Sequence, residues 1–378
     1  MASAAPSLRS LAFATYRRAL KAGAVHFSET EVHNLSHDGI NYQIRYAPNL
    51  LKKPVANLAA DRPPPPKANP FLPPDAALYI SPVQDTHYVV LNKFPVHPGH
   101  FILATADFRH QNHPLATSDL SAILAVLKNW NTDIPSDDND APDEARLQNC
   151  LYGFFNSGAN SGASQPHRHV QFLPVTVDEM TSLWPTRLFG DEDDGVAVGT
   201  VADVEVRWQR KVSYKHYFAG IPADCTATRL HEIYATLLSL AAHTLSHPTV
   251  PSSAIVEEVN ATRCNTAGRS DGSIYEGLSA DEPVAFSYNL AFSKDWIGIL
   301  PRTQETVYVV DKDADSGVVV DGVAIKCPGL NLNGTVLAGM MLVRTRREMD
   351  AVLADSAIVA RALAGIGVPQ ENAQRSSL

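Results

Sequence analysis

The sequence predicts an α+β protein, an antiparallel sheet with flanking helices, made of two related halves fused in one chain. Three observations carry this. The length of 378 residues suits one large domain built from two halves. Two strand–turn–strand patterns, residues 88–105 (YVVLNKFPVHPGHFILAT) and 287–302 (SYNLAFSKDWIGILPR), recur in similar form. Each lies near a run with the apolar spacing of a helix.

Taken in order, residues 8–22 read as a first helix that stops at Gly23. Arg9, Arg17, Arg18 and Lys21, with no acid before residue 29, also fit a mitochondrial presequence, but the stop signal favours the helix. Residues 61–75 hold seven prolines, so they form an extended surface crossing, anchored by Phe71 and Leu72, or a proline-rich recognition arm. Strands follow at 88–94 and 100–105. A helix starts near Ser118 with Asp119 in its first turn, and 135–144 and 190–195 are acidic loops. In the second half, strands at 204–211 and 213–221 precede a helix over 231–245 and the second hairpin. A long helix over 347–365 and a disordered polar tail over 369–378 close the chain. The organisation expected is a first half over 1–190 and a second over 191–368.

The composition is ordinary for a globular protein, 45% hydrophobic and 19% charged. A net charge of −9 argues against nonspecific binding to nucleic acid or an anionic membrane, though not against a phosphate held in a local basic pocket. No apolar stretch reaches the roughly 20 residues of a membrane span. Cys150, Cys225, Cys264 and Cys327 are scattered and read as reduced thiols, neither a disulfide frame nor a zinc knuckle.

The most informative segment is 156–174, NSGANSGASQPHRHVQFLP. A Gly/Ser/Asn-rich loop runs into His167, His169 and Gln171, which alternate and so share one face of an extended strand, with Arg168 and Val170 on the other. Gly158, Ser161, Gly162, Ala163 and Ser164 let backbone amides approach an anion closely. A neutral imidazole beside such a nest suits nucleophilic attack at phosphorus, with Gln171 as an uncharged hydrogen-bond donor to the phosphate oxygens. Two rival readings are a zinc site and simple packing. Zinc needs a third ligand, and no Asp, Glu or Cys stands at a suitable spacing. Packing leaves the small-residue loop unexplained.

These residues resemble the histidine-triad superfamily, in its branch where Gln takes the last position. Within it they are similar to the fungal diadenosine tetraphosphate phosphorylases, or ATP adenylyltransferases. The likeness extends to FATYRRALKAGAVHF (13–27), IRYAPNLLKKP (44–54), ANPFLPPD (68–75), LNKFPVHPGHFILAT (91–105), GASQPHRHVQFLP (162–174) and SYNLAFSKDWIGILPR (287–302). The resemblance implies that His169 is the nucleophile that becomes adenylylated, that Gln171 binds the transferred phosphate and that His167 orients the site. It assigns Asn156 and the run Ser161, Gly162, Ala163, Ser164 and Gln165 to the polyphosphate. It places Lys53, Asn92, Lys93, Tyr288, Asn289 and Lys294 among the substrate contacts, Lys294 on a distal phosphate. Each lysine also has a reading as a plain surface charge. One departure is visible: the family's Asn-Ser-Leu-Gly stretch stands here as Asn333-Gly334-Thr335-Val336.

The activity implied is phosphorolysis of diadenosine tetraphosphate to ADP and ATP, and the reverse synthesis. Its rivals are hydrolysis by water, a hexose-1-phosphate uridylyltransferase and a nucleotide-binding protein without turnover. The expected partners are the small molecules diadenosine tetraphosphate, phosphate, ATP and ADP, bound by a monomer expected in the cytoplasm, with the nucleus as an alternative. No protein-held metal is expected; a divalent cation, Mg2+ or Mn2+, accompanies the substrate phosphates.

Overall fold

The computed structural model describes residues 6–49, 69–130, 148–190, 195–266, 282–320 and 323–370. The expectations for Lys53, for residues 61–68, for the acidic segments 135–144 and 191–194 and for the tail from 371 onward lie outside these residues.

Helix α1 (Leu8–Lys21) starts where the Ser7 hydroxyl accepts the Ser10 N–H at 3.2 Å and buries Leu8, Ala12, Phe13, Tyr16 and Ala19 on one face. It ends before Gly23, whose φ of +70° few other residues adopt cheaply. A hairpin of β1 (Glu31–His37) and β2 (Ile40–Tyr46) follows. Next come β3 (Tyr79–Val83), β4 (His87–Leu91), β5 (Phe101–Thr105), α2 (Thr117–Trp130), β6 (Cys150–Ser157) and β7 (His169–Val175). Short helices α3 (Val177–Ser182) and α4 (Trp184–Arg187) lead to β8 (Val196–Val201), β9 (Val204–Gln209), β10 (Tyr217–Gly220), α5 (Ala227–Ser246), α6 (Ser252–Thr266), β11 (Ser287–Phe292) and β12 (Trp296–Arg302). The remainder holds β13 (Thr306–Val307), β14 (Asp315–Val320), β15 (Val323–Lys326), β16 (Leu330–Asn331), a 3-10 turn (Gly334–Ala338), β17 (Met340–Val343), α7 (Arg346–Ala354) and α8 (Ala357–Ile366).

Ten strands form one sheet in the order β3-β4-β5-β7-β6-β11-β12-β10-β9-β8. Counted outward from the centre, the halves are identical in order, β6-β7-β5-β4-β3 on one side and β11-β12-β10-β9-β8 on the other. They join where β6 pairs antiparallel with β11, Asn156 opposite Asn289. The α+β class and the doubling therefore stand, but the hairpins correspond differently from the sequence expectation. The 287–302 hairpin, β11–β12, matches β6 and β7, and the β4–β5 hairpin matches β9 and β10. Both hairpins are short apolar strands around polar turns, so their patterns alone could not separate them. A faint sequence trace of the true match survives: Val96, His100 and Phe101 at the start of β5 recur in spacing as Val212, His216 and Tyr217 at the start of β10.

Both faces of the sheet are covered, which is why β4, β11 and β12 are mostly apolar without alternation and are buried along their whole length. One core gathers residues of α1, α2, α5 and α6; the other gathers β2, β17, α7 and α8. No helix of the described residues is long and apolar enough to cross a membrane.

Two terminal expectations need correction. The helix expected over 347–365 is two helices, because Asp355 takes an extended conformation and its carboxylate accepts the Ala357 N–H at 3.0 Å and the Arg361 guanidinium at 2.9 Å. Pro369 and Gln370, expected in the tail, are bound to the fold: Pro369 bridges Tyr214, the Gln370 N–H reaches the Ser213 carbonyl at 2.9 Å, and the Gln370 side chain accepts from Ser252.

Candidate active site

His169 opens β7, beside Ala104 of β5, and is 2% exposed. Its Nδ1 lies 2.8 Å from the His167 carbonyl, which can only accept, so Nδ1 carries the proton and Nε2 keeps its lone pair. Nε2 has no hydrogen-bond partner among the described residues. Burial lowers the pKa of the ring to about 4, so it is neutral around pH 7. Phe71 lies against it at 5.3 Å between ring centroids.

His167 is differently placed. It precedes β7 in an isolated bridge to His110, because Pro166 has no N–H to extend the ladder. Its Nε2–H donates at 2.9 Å to the Thr105 carbonyl and hydroxyl oxygen, the hydroxyl proton being committed to Asp107 O. Its Nδ1 accepts from the Asn69 amide at 2.9 Å, and that amide is oriented because its own oxygen takes the Phe71 N–H. Both ring nitrogens are thus engaged, and burial again lowers the pKa. Gln171 lies on the same face, its Oε1 3.1 Å from His100 Nε2, an arrangement that turns the Gln171 NH2 group outward as a donor. Burial holds His100 neutral with a pKa of about 3.

The second half completes the floor. Buried Arg302 donates to Asn289 Oδ1, and Asn289 Nδ2 donates to Asn156 Oδ1 at 2.9 Å and to the Ser161 carbonyl at 2.8 Å. Asn156 Oδ1 also accepts the Gly334 N–H at 2.8 Å. The Asn156 Nδ2 group is left buried and unpaired. Above it, Ser161 closes a tight turn on the Gly158 carbonyl through its hydroxyl, 2.7 Å. Gly162 has φ +80°, and a Cβ there would stand 2.9 Å from Asn333 Cβ, so the departing Asn333-Gly334 corner packs directly under the loop. Among the described residues the N–H groups of Gly162, Ala163, Ser164 and Gln165 donate to no protein acceptor. The loop borders a cavity of about 360 Å³ lined also by His110, Gln111 and Asn112.

Asn92 joins the site through His100, its amide 3.2 Å from Nδ1. Other expected contacts are placed elsewhere: Lys93 is exposed in the β4–β5 turn. Tyr288 faces the helix side of the sheet, its hydroxyl 2.6 Å from that of Tyr234, since strand alternation puts it opposite Asn289. Lys294 sits exposed in the β11–β12 turn near Cys150, about six residues or roughly 20 Å along the strands from His169. Leu72, expected to pack, is 40% exposed. Among the described residues no three His, Cys, Asp or Glu side chains form a group able to hold a metal ion. Asn69, Phe71, His100, Thr105 and Gln111 belong to the site and were not expected; ANPF and PGHF, already conspicuous, held three of them.

Three buried neutral histidines have a measurable consequence. His169 and His216 are held near pKa 4 and His100 near 3, all by burial. His216 donates Nδ1–H to the Tyr214 carbonyl and accepts the Gln209 N–H. In the unfolded chain each titrates near 6.5, so stability is full above that pH and is lost as pH falls toward 4, at about 1.4 kcal/mol per unit per histidine. Urea unfolding between neutrality and pH 5 is expected to show this slope. The His216→Gln variant is expected to lose one proton's share of it.

A free imidazole nitrogen on a central strand of a doubled antiparallel sheet is the arrangement that a nucleotidyltransferase working through a histidine nucleophile needs. Residues 3–134 and 139–189 match the Ap4A phosphorylase N-terminal domain, and residues 210–369 match the ATP adenylyltransferase C-terminal domain. The chain belongs to this Ap4A phosphorylase/ATP adenylyltransferase family. It is 26% identical over 339 residues to diadenosine 5′,5′″-P1,P4-tetraphosphate phosphorylase 2 of Saccharomyces cerevisiae, covering 88% of this chain and 86% of that one. To the protein APA1 of the same yeast it is 23% identical over 296 residues, 76% and 77% of the two chains. The crystal structure of yeast Ap4A phosphorylase Apa2 in complex with Ap4A superposes with a TM-score of 0.65 at 22% identity, covering 96% and 97%. That likeness shows the fold.

Proposed function

We propose that this chain catalyses the phosphorolysis of diadenosine tetraphosphate, and its reversal, by double displacement on His169. The observation that carries the reading is the His169 tautomer: the proton is fixed on Nδ1 by the His167 carbonyl, so Nε2 is left unshared. In the first step Nε2 bonds to the α-phosphorus of one adenylyl group while the bond to the bridging oxygen breaks, releasing ATP. In the second, an oxygen of inorganic phosphate bonds to that phosphorus, the N–P bond breaks, and ADP leaves.

The surrounding groups support this chemistry. The Gln171 NH2, the unpaired Asn156 Nδ2 and the N–H groups of residues 162–165 are donors set in advance for phosphate oxygens, so they need no reorganisation as charge develops. His167, with both nitrogens engaged, holds its carbonyl against His169 rather than attacking. A divalent cation arrives as part of the polyphosphate substrate.

The test is product analysis. Purified protein with diadenosine tetraphosphate is expected to yield ADP plus ATP, and sustained turnover only when inorganic phosphate is present. AMP plus ATP without phosphate would identify a hydrolase working through the same histidine. Turnover of UDP-sugars instead would identify a uridylyltransferase.

A further inference from the structure

We infer that Gln111 is a positioning residue for the nucleophile: its carboxamide bridges β6 and β7 where their ladder stops and so fixes the peptide of His169 relative to Asn156. This rests on the reading of His169 as nucleophile given above. The last rung between the two strands is Phe154 opposite Gln171. Two residues further along, where Asn156 and His169 would stand opposite each other, no rung forms. Gln111 enters instead, 4% exposed. Its Oε1 accepts the His169 N–H at 2.7 Å, and its Nε2 donates to the His169 carbonyl at 3.1 Å and the Asn156 carbonyl at 2.8 Å. The amide has one workable orientation, since a flip would set NH2 against N–H and oxygen against two carbonyls.

Gln111 is itself held by the segment that replaces β5 beyond Ala104. Its N–H reaches the Pro166 carbonyl at 2.8 Å, and the Arg109 carbonyl takes the Arg168 N–H at 2.7 Å. Paired strands lie about 4.8 Å apart, and a side-chain amide bridging two of them keeps them from closing to that spacing. Gln111 borders the same cavity as the loop, but its carboxamide bonds to the backbone of His169 and Asn156 and to neither the imidazole nor the loop N–H groups, so it sets the separation between the nitrogen that attacks and the unpaired Asn156 amide. Removing it leaves three buried backbone groups unpaired and lets the strands shift.

The Gln111→Met variant keeps length and loses every polar contact. With diadenosine tetraphosphate its kcat is expected to fall about 100-fold, as a displacement of the order of 1 Å at a reacting group does, with KM within about threefold. The single-turnover burst of ATP is expected to slow by the same factor. The Gln111→Glu variant supplies an acceptor and one donor when protonated. Burial against two carbonyls raises its pKa, so its activity relative to wild type is expected to rise as pH falls from about 8 to about 6. A folded Gln111→Met enzyme with kcat within about threefold of wild type, or with KM raised at unchanged kcat, overturns the inference. Where that variant does not fold, a flat pH ratio for Gln111→Glu overturns it. Wild type and His169→Ala run beside them: failure of wild type to turn over sinks the functional reading, whereas normal Gln111 variants in a His169-dependent enzyme sink this inference alone.

Discussion

His169→Ala is expected to lower turnover of diadenosine tetraphosphate by at least about 10⁴-fold and to abolish the covalent adenylyl-protein. The size follows from the arrangement. Double displacement has no path without the first bond, and the neighbouring ring cannot take over. His167 has Nε2–H committed to Thr105 and Nδ1 committed to Asn69, so freeing either nitrogen breaks a buried hydrogen bond. The variant should still fold and still bind the dinucleotide, because Asn156, Gln171 and the loop donors stay in place. Rapid mixing with labelled substrate, acid quench and intact-protein mass measurement read the intermediate directly. Near-normal turnover, or a wild-type burst with no mass increase of one adenylyl group, would mean that phosphate or water attacks the substrate without a histidine intermediate.

The histidine block was legible because its signal is local. Alternation at period two and the small-residue loop before it are properties of about twenty consecutive residues, and the structure places His169, Gln171 and Arg168 on the faces that alternation assigns. The same rule, applied to Tyr288 and Asn289, separates two adjacent residues that a motif treats as a unit. One lies in the helix-side core and the other carries Asn156. What a local pattern could not show was partnership across the chain. Asn69 and Thr105 meet His167, His100 meets Gln171 and Gln111 meets His169 across separations of 98, 62, 71 and 58 residues. Nothing in a lone Asn or Gln says which ring it serves. The pairing of the two halves failed for a related reason: equivalent hairpins are defined by strand order, and the apolar pattern of a strand buried on both faces carries no order. His100 and His216 show what duplication leaves behind. Both stand at the start of equivalent strands and both are buried neutral. One faces Gln171, and the other is closed off by the Gln209 N–H.

The Asp119→Ala variant is expected to lose about 3–5 kcal/mol of unfolding free energy, the cost of leaving a buried charge without its partner. Arg168 lies between His167 and His169 but points through the sheet to the helix side, where its Nη1 meets Asp119 Oδ2 at 2.7 Å; both side chains are 2% exposed. Asp119 also accepts from His87 at 3.0 Å and reaches back to the Ala116 N–H at 2.7 Å, fixing the first turn of α2. Burial alone would raise its pKa. The His87 hydrogen bond, the Arg168 charge and the Ala116 N–H outweigh that and hold it below the usual carboxylate value. Its contribution is therefore complete above the unfolded value near 3.8 and is lost only as pH falls below it, well beneath the window in which the buried histidines act. Urea titration at pH 7 measures the loss. The Asp119→Leu/Arg168→Met double variant, which removes both charges, should regain most of it, because an apolar pair of similar volume is often no worse than a buried ion pair. If the single variant costs under about 1 kcal/mol, the pair contributes no more than a surface salt bridge. If the double variant is stable but poorly active, Arg168 is retained to hold the strand between the two histidines, and the ion pair serves the site more than the fold.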